Sequence, residues 1–337
     1  MSSSAVGVLR RSPQGAKPRA LAPSRTVAAI GRRATLRHGI GYSNVWIARV
    51  DGASRRLSSW VVLGVGIATL LLSILGGGEL YNRLAGHLTS APALDRALLY
   101  VCVVGPLYAV AAAALTYERR AAVPANAGAA GALGVGCAIG LIGIGVAVGL
   151  SALLGAIGPG ASAAPWAHRL AGAAIGAALI AFQAFGEEIF FRGWMQPILA
   201  TRWGPWIGLM ATSALFAAAH ALGRPAGGLA LVNDTLAGVA FGLLAFRSGG
   251  LLAPFAAHFA WNWAEQSLFG LTPNPGVDPL GSLSDLDLVG PTLLSGGRDE
   301  LNGAIAATAA LLLMIGLVLA WRPGLRAVSA PALQAKA

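Results

Sequence analysis

Residues 170–191 read LAGAAIGAALIAFQAFGEEIFF. A helix needs roughly 20 apolar residues to cross the hydrocarbon core of a bilayer, and this run is long enough. It nevertheless contains Gln183 and two adjacent glutamates, Glu187 and Glu188. A charged side chain at the centre of a membrane helix costs about 2.5–3.5 kcal/mol on insertion scales, so such residues indicate function by default. The stretch therefore predicts both a membrane helix and a buried polar site.

The composition of the whole chain is typical of a membrane protein. Of its 337 residues 56% are hydrophobic and 11% are charged, and the mean hydropathy is +0.67. Soluble globular chains carry about 25% charged residues, so lipid is the solvent that fits this chain. We expect an all-α, polytopic transmembrane bundle of about eight helices. The predicted spans are 59–75, 97–115, 130–154, 170–191, 206–220, 235–246, 252–268 and 304–321.

These spans divide the chain into five segments, of which the third carries the chemistry. The fourth is rich in Pro, Gly and Asp and is expected to be a passive external loop. The segments are a basic tail (1–58), helices one to three (59–167), a catalytic core (168–269), the loop (270–303), and the last helix with a short basic tail (304–337).

Basic residues are concentrated in the first segment. Eleven Lys and Arg precede Ser59, against one acidic residue, Asp51. This composition predicts a disordered tail that contacts anionic lipid headgroups, with an organellar transit peptide as the alternative. It contains no folded nucleic-acid-binding motif, so no nucleic acid partner is expected. Because Lys/Arg-rich loops stay in the cytoplasm, eight spans predict that both termini are cytoplasmic.

Two glutamates in the fourth span have different local environments. Glu188 and Arg192 lie at positions i and i+4 on one helix face and are expected to form an ion pair. Glu187 lies about 100° round the helix, on the face of Gln183, and has no obvious local partner. Such a carboxylate suits general acid/base catalysis. The alternative is that both glutamates end the helix and are solvated.

Further polar residues occur in the fifth and seventh spans. His220 ends the fifth and is either a satisfied core histidine or a catalytic group. His258 and Asn262 lie at i and i+4, so both can direct hydrogen bonds to one point, as stabilisation of an oxyanion requires. Glu265 is expected at a helix end facing water, the alternative being that it belongs to the site. If these clusters converge, they predict a hydrolytic pocket. The sequence has no serine-hydrolase elbow, His-Glu-x-x-His motif or nucleotide-binding loop, which disfavours serine hydrolases, zincins and nucleotide-binding proteins.

The three motifs resemble those of the CPBP family, the CAAX-protease and bacteriocin-processing intramembrane proteases. The motifs are Glu-Glu-x-x-x-Arg (187–192), Phe-x-x-x-His (216–220) and His-x-x-x-Asn (258–262). The resemblance covers about residues 170–268. It implies an α-helical membrane core with a catalytic cavity inside the membrane that opens towards the cytoplasm.

The resemblance also implies roles for the residues. Glu187 would be the general base that activates water, and His220 would hold that water. His258 and Asn262 would form the oxyanion hole, while Glu188 and Arg192 would brace the site; a more direct part for Glu188 is the alternative. No cofactor is required by this interpretation; zinc is the alternative, with Glu187, His220 and His258 as its ligands.

Two other classes of function remain open from the sequence. Buried Glu, His and Asn also build the proton relays of membrane transporters, although no inverted repeat is visible. A non-catalytic membrane adaptor with a vestigial site is the third reading. The favoured partner is a peptide or protein substrate at the membrane, and the composition suggests a bacterial cytoplasmic membrane. The sequence does not define the substrate or the oligomeric state.

Overall fold

The computed structural model describes six stretches of the chain: 57–88, 91–118, 128–160, 164–223, 226–271 and 280–321. The predicted basic tail lies outside these residues apart from its last two positions, and so does the final basic segment after Trp321. Long helices make up most of the described part. The elements are α1 (Ser59–Leu71), α2 (Gly77–Leu88), α3 (Pro92–Tyr117), α4 (Ala129–Leu153), β1 (Ile157–Pro159), α5 (Trp166–Glu188), α6 (Gln196–Trp203), α7 (Pro205–Gly223), α8 (Gly228–Ser248), α9 (Leu252–Trp263), β2 (Leu286–Leu288), α10 (Thr292–Ser295) and α11 (Ile305–Ala320).

Three of the helical junctions are π-helical and one is 3-10. The π segments are Leu72–Gly76 between α1 and α2, Ile189–Met195 between α5 and α6, and Ala264–Leu268 after α9. The 3-10 segment is Gly297–Gly303, before α11. Because π-helical turns are frequently found at functional sites, the second and third are of interest: they directly follow the Glu-Glu and His-x-x-x-Asn motifs.

Seven helical stretches in the described part are long and apolar enough to cross a membrane. They confirm an all-α polytopic bundle. The predicted span 252–268 is observed as α9 and its π segment, 17 residues in all, at the short end of the range for a transmembrane helix. Large apolar side chains point outward from the bundle, including Trp60, Leu153 and Leu312, as expected of a surface that faces lipid.

Small residues bring α4 against α9, the helix that carries His258. A Cβ atom on Gly140 would lie 2.3 Å from the carbonyl oxygen of Ala257, and one on Gly136 would lie 2.2 Å from that of Ala253. Both contacts are shorter than any side chain tolerates, so the two helix backbones touch at these glycines. Close approach through small residues is the usual mode of helix association in lipid, and here it fixes the position of α9.

The chain between α9 and α11 returns across the end of the bundle. β2 pairs antiparallel with β1, and Leu283 and Ser284 donate backbone hydrogen bonds to the carbonyls of Ser267 and Leu268. Asn233 of α8 donates to the carbonyls of Asn302 and Ala304. The described part of the predicted loop is therefore attached to both α8 and the end of α9.

Candidate active site

A cavity of about 620 Å³ opens among the helices that carry the three motifs. Its wall contains Glu187 from α5, His220 from α7, and His258 and Asn262 from α9. The structure thus brings four of the six predicted site residues to one space. Glu188 and Arg192 are completely buried and lie behind the wall rather than on it.

Glu187 is held by an amide network. Nε2 of Gln183 donates to Oε1 of Glu187 at 2.5 Å, and Nδ2 of Asn262 donates to Oε1 of Gln183 at 3.2 Å. Oε2 of Glu187 is shielded from solvent and has no hydrogen-bond partner among the described residues. One carboxylate oxygen is therefore fixed by a hydrogen bond, and the other has the capacity to accept one.

Glu188 links the first and third motifs. Its Oε1 accepts hydrogen bonds from Nη1 of Arg192 at 2.8 Å and from Nδ1 of His258 at 2.9 Å. The Glu188–Arg192 pair has the i, i+4 spacing from which it was predicted. Arg192 also donates to the carbonyl of Gly238 at 3.1 Å, which ties α8 to the same network. A buried charge pair with additional hydrogen bonds is costly to disrupt, so this network should hold α5, α8 and α9 in register.

The hydrogen bond to Glu188 sets the tautomer of His258. A carboxylate oxygen can only accept, so Nδ1 carries the proton and Nε2 faces Glu187, 3.9 Å from its Oε2. Phe241 stacks on the His258 ring at 4.8 Å between centroids and 14° between planes. The ring is therefore fixed in both position and orientation.

His220 is oriented by its own helix. Its Nδ1 lies 2.9 Å from the carbonyl oxygen of Phe216, which can only accept, so Nδ1 carries the proton here as well. Phe216 packs against His220 and also against the guanidinium of Arg192, 4.8 Å from the ring centroid. The second motif thus contributes an aromatic ring that packs on the buried Arg192. It also contributes a histidine whose Nε2 makes no hydrogen bond to another described residue.

Residues 169–264 match the family model described as type II CAAX prenyl endopeptidase Rce1-like. The chain carries an Rce1-like domain. This match confirms the recognition of the CAAX-protease family from the three motifs, all of which lie inside the matched range. In general terms, the match supports a membrane endopeptidase. Neither the curated proteins nor the solved structures contain a significant match to the chain.

Sequence reasoning misjudged one residue just beyond the Rce1-like domain. Glu265 was expected to face water, but it is buried and lines the cavity. The reason is the returning segment: Leu271 donates to the backbone carbonyl of Glu265, and Leu283 to that of Ser267, so the helix end is covered. Gln183 was noted only as a neighbour of Glu187; its amide in fact connects Glu187 with Asn262.

The zinc alternative can be compared with the geometry of the Rce1-like domain. No group of three or more His, Cys, Asp and Glu side chains is placed to hold a metal ion in the part of the chain that the structure describes. Of the three predicted ligands, Glu187 and His258 lie close together, with Oε2 of Glu187 3.9 Å from Nε2 of His258. Nδ1 of His220 is hydrogen-bonded to the carbonyl of Phe216 instead. These residues do not fit a zinc site as arranged here, so no step below is derived through a metal.

Proposed function

We propose that this protein is an intramembrane endopeptidase of the glutamate type, in which Glu187 activates water to hydrolyse a peptide bond. The observation that carries the proposal is the free Oε2 atom of Glu187, held on the cavity wall 3.9 Å from Nε2 of His258. A water oxygen about 2.8 Å from both atoms would subtend an angle of about 90°, which a water molecule tolerates. Glu187 and His258 can therefore hold one water between them.

The reaction balances with Glu187 as the only proton carrier. Glu187 takes a proton from the water as its oxygen attacks the scissile carbonyl carbon, and a tetrahedral intermediate forms. The C–N bond then breaks, and Glu187 returns the proton to the leaving amine. The immediate products are a carboxylic acid and an amine, with one water consumed; transfer of the acid's proton to the amine then gives a carboxylate and an ammonium group.

Asn262 is the neutral donor for the oxyanion. One N–H of its side-chain amide is occupied by Gln183, which leaves the second N–H for the developing negative charge. His258 can donate from Nε2 only as the imidazolium, because Nδ1–H is directed to Glu188.

His220, Glu188 and Arg192 have supporting roles in this mechanism. With Nδ1 bound to the carbonyl of Phe216, His220 presents Nε2 to the cavity as an acceptor and can orient the attacking water. Glu188 and Arg192 do not line the cavity, so we assign them the positioning of His258. The substrate is a peptide or protein segment that enters the cavity from the membrane or its surface. We propose, from the distribution of Lys and Arg, that both termini of the chain lie in the cytoplasm.

Cleavage of randomised peptide pools by the purified full chain in detergent tests this proposal. Glu187→Gln keeps the shape of the side chain and removes the base, so product formation should fall by about 10²–10⁴-fold. Asp287→Asn, an exposed acid on β2, is the matched control and should cleave like the wild type. A strong chelator should leave the rate unchanged if no metal is required. Cleavage that is unaffected by Glu187→Gln contradicts the mechanism, and proton-driven transport without cleavage would establish the transporter reading instead.

A further inference from the structure

Hydrogen bonds between helix termini define one end of the described bundle. The backbone N–H of Leu57 donates to the carboxylate of Glu118, and the carbonyl of Leu57 accepts from Arg202. Arg247 donates to the carbonyl of Trp321. These residues lie at the start of α1 and at the ends of α3, α6, α8 and α11. We call this end of the bundle the basic end, for the arginines and lysines counted below.

The opposite end of the bundle is formed by the other helix termini. There β1, which follows α4, pairs with β2, which follows α9. Asn233 near the start of α8 donates to the carbonyl of Asn302, just before α11. The hydroxyl of Tyr81 in α2 donates to Asp95 near the start of α3. The spans therefore run from one end of the bundle to the other in alternating directions.

The two ends differ in charge. The segments at the basic end contain eighteen Lys and Arg, namely the eleven that precede Ser59 and Arg119, Arg120, Arg202, Arg247, Arg322, Arg326 and Lys336. The segments at the opposite end contain five, namely Arg83, Arg96, Arg169, Arg224 and Arg298, together with most of the Asp and Glu of the chain. We call this second end the acidic end. Because segments rich in Lys and Arg stay in the cytoplasm, the basic end is expected to be cytoplasmic and the acidic end to lie outside.

The mouth of the cavity lies at the acidic end. Among the described residues, the exposed members of the cavity wall are Leu75, Glu79, Asn82, Leu222 and Gly223. The first three belong to the π segment before α2 and to α2 itself, and the other two to the last turn of α7. α7 ends at Gly223, close in sequence to the start of α8 at Gly228. The exposed part of the wall is therefore remote from the basic end.

The catalytic glutamate lies about midway through the bundle, and the bundle is packed on its basic side. Gly186, next to Glu187, abuts Val104, which is near the middle of α3: a Cβ on Gly186 would lie 2.4 Å from Cγ1 of Val104. From Glu187 the chain continues towards the basic end through Phe190 and Trp194, which are at most 1% exposed. Large buried side chains thus close the site on the basic side, and access is from the acidic end.

We propose that the active site opens on the side of the membrane opposite to the cytoplasm and cleaves polypeptide segments that have already crossed it. This rests on the proposed endopeptidase function and on the proposed cytoplasmic termini. The resemblance to CAAX proteases implies instead a cavity that opens towards the cytoplasm. The two expectations are incompatible in this chain, because the mouth and the basic end lie at opposite ends of the bundle. The substrate class is exported peptides and the outer flanks of membrane helices.

Thiol labelling in intact bacterial cells tests the orientation without requiring activity. Cys102 and Cys137 are replaced by alanine, and one new cysteine is introduced by Asn82→Cys at the mouth, Asn262→Cys in the cavity or Arg202→Cys at the basic end. A small, charged, membrane-impermeant methanethiosulfonate should modify the first two in intact cells and Arg202→Cys after permeabilisation. Modification of Arg202→Cys in intact cells, or of Asn262→Cys after permeabilisation alone, overturns the proposal.

Cleavage by the full chain in sealed membrane vesicles tests the side of action. Randomised peptides are attached through a flexible spacer to dextran, which keeps them on the side of addition. Right-side-out vesicles with wild-type protein should cleave them, whereas inside-out vesicles should do so after detergent is added. Asp287→Asn, on β2 at the acidic end, is the control and should behave like wild type. Cleavage restricted to inside-out vesicles, or equal cleavage by both sealed preparations, contradicts an outward-facing site.

Cleavage in detergent separates this inference from the proposed function. Both sides of the protein are accessible in detergent, so wild type should cleave and Glu187→Gln should not, whichever way the site faces. Absence of cleavage that depends on Glu187 is failure of the endopeptidase proposal, and thiol labelling then still decides the orientation. Cleavage in detergent combined with labelling of the cavity from the cytoplasmic side is failure of the orientation alone.

Discussion

Replacing Arg192 with methionine should strand a buried negative charge. Arg192 and Glu188 are both fully buried and lie 2.8 Å apart. Methionine fills part of the volume of the arginine but leaves Glu188 without its cation. Removing one partner of a buried ion pair typically costs about 3–5 kcal/mol, because the remaining charge is uncompensated. We expect Arg192→Met to lower the free energy of unfolding by an amount in that range.

A second substitution should relieve much of this loss. Glu188→Gln in the Arg192→Met background removes the stranded charge and keeps a carbonyl oxygen for the Nδ1–H of His258. We expect the double variant to recover about 2 kcal/mol relative to Arg192→Met alone, since the buried charge is the main penalty. The matched control is Arg83→Met, which breaks the exposed pair with Glu79 and should cost about 0–1 kcal/mol.

The assay is unfolding by SDS in mixed micelles, followed by tryptophan fluorescence. If Arg192→Met costs no more than Arg83→Met, an uncompensated buried charge is not what destabilises the variant. The same conclusion follows if the double variant is as unstable as the single one, because the charge of Glu188 would then not be the source of the loss.

Three further predictions concern the same helices. Gly140→Val should separate α4 from α9 and lower both stability and cleavage, since a Cβ would lie 2.3 Å from the carbonyl oxygen of Ala257. Gly134→Val is the control: nothing lies within 4 Å of a Cβ at that position, so it should be tolerated in the same melting and cleavage assays. Asn262→Ala should lower kcat by about 10²–10³-fold with little change in KM, as loss of an oxyanion donor does, and an effect confined to KM would contradict that role. Gln183→Leu should reduce kcat because it removes the hydrogen bond from Gln183 to Oε1 of Glu187. It should lower the melting temperature less than Arg192→Met does. A wild-type kcat would show that the Gln183–Glu187 hydrogen bond is dispensable.

The sequence predicts local features of the site well. Hydropathy is summed along the chain, so it identifies the membrane helices directly, and i, i+4 spacing places Glu188 beside Arg192 without reference to any other helix. The family match confirms the identity that the three motifs indicated. The hydropathy of a span, the i, i+4 pair and each single motif depend only on residues that are close together in sequence.

Features that depend on contacts between helices were not predictable. Predicting the Gln183–Asn262 hydrogen bond requires knowing which faces of α5 and α9 meet. The glycines of α4 that contact the backbone of α9 are distant from both residues in sequence. The burial of Glu265 depends on a returning segment that follows it in the chain.

The sixth predicted span was also too short. The sequence predicts a span over 235–246, but α8 begins at Gly228 because the side chain of Asn233 donates hydrogen bonds inside the bundle to the carbonyls of Asn302 and Ala304. Low hydropathy at Asn233 indicates the end of a span, whereas in the structure its side chain connects α8 to the segment before α11.

Hydrolysis in H₂¹⁸O reports whether Glu187 activates the attacking water. The full chain is incubated with a randomised peptide pool, and the ¹⁸O content of newly formed C-terminal carboxylates is followed by mass spectrometry for wild type and Glu187→Gln. The account predicts one ¹⁸O atom per new carboxylate with wild type, at a rate that falls by at least about 10²-fold in Glu187→Gln. Incorporation at the wild-type rate by Glu187→Gln would contradict the assignment of Glu187 as the base that activates water.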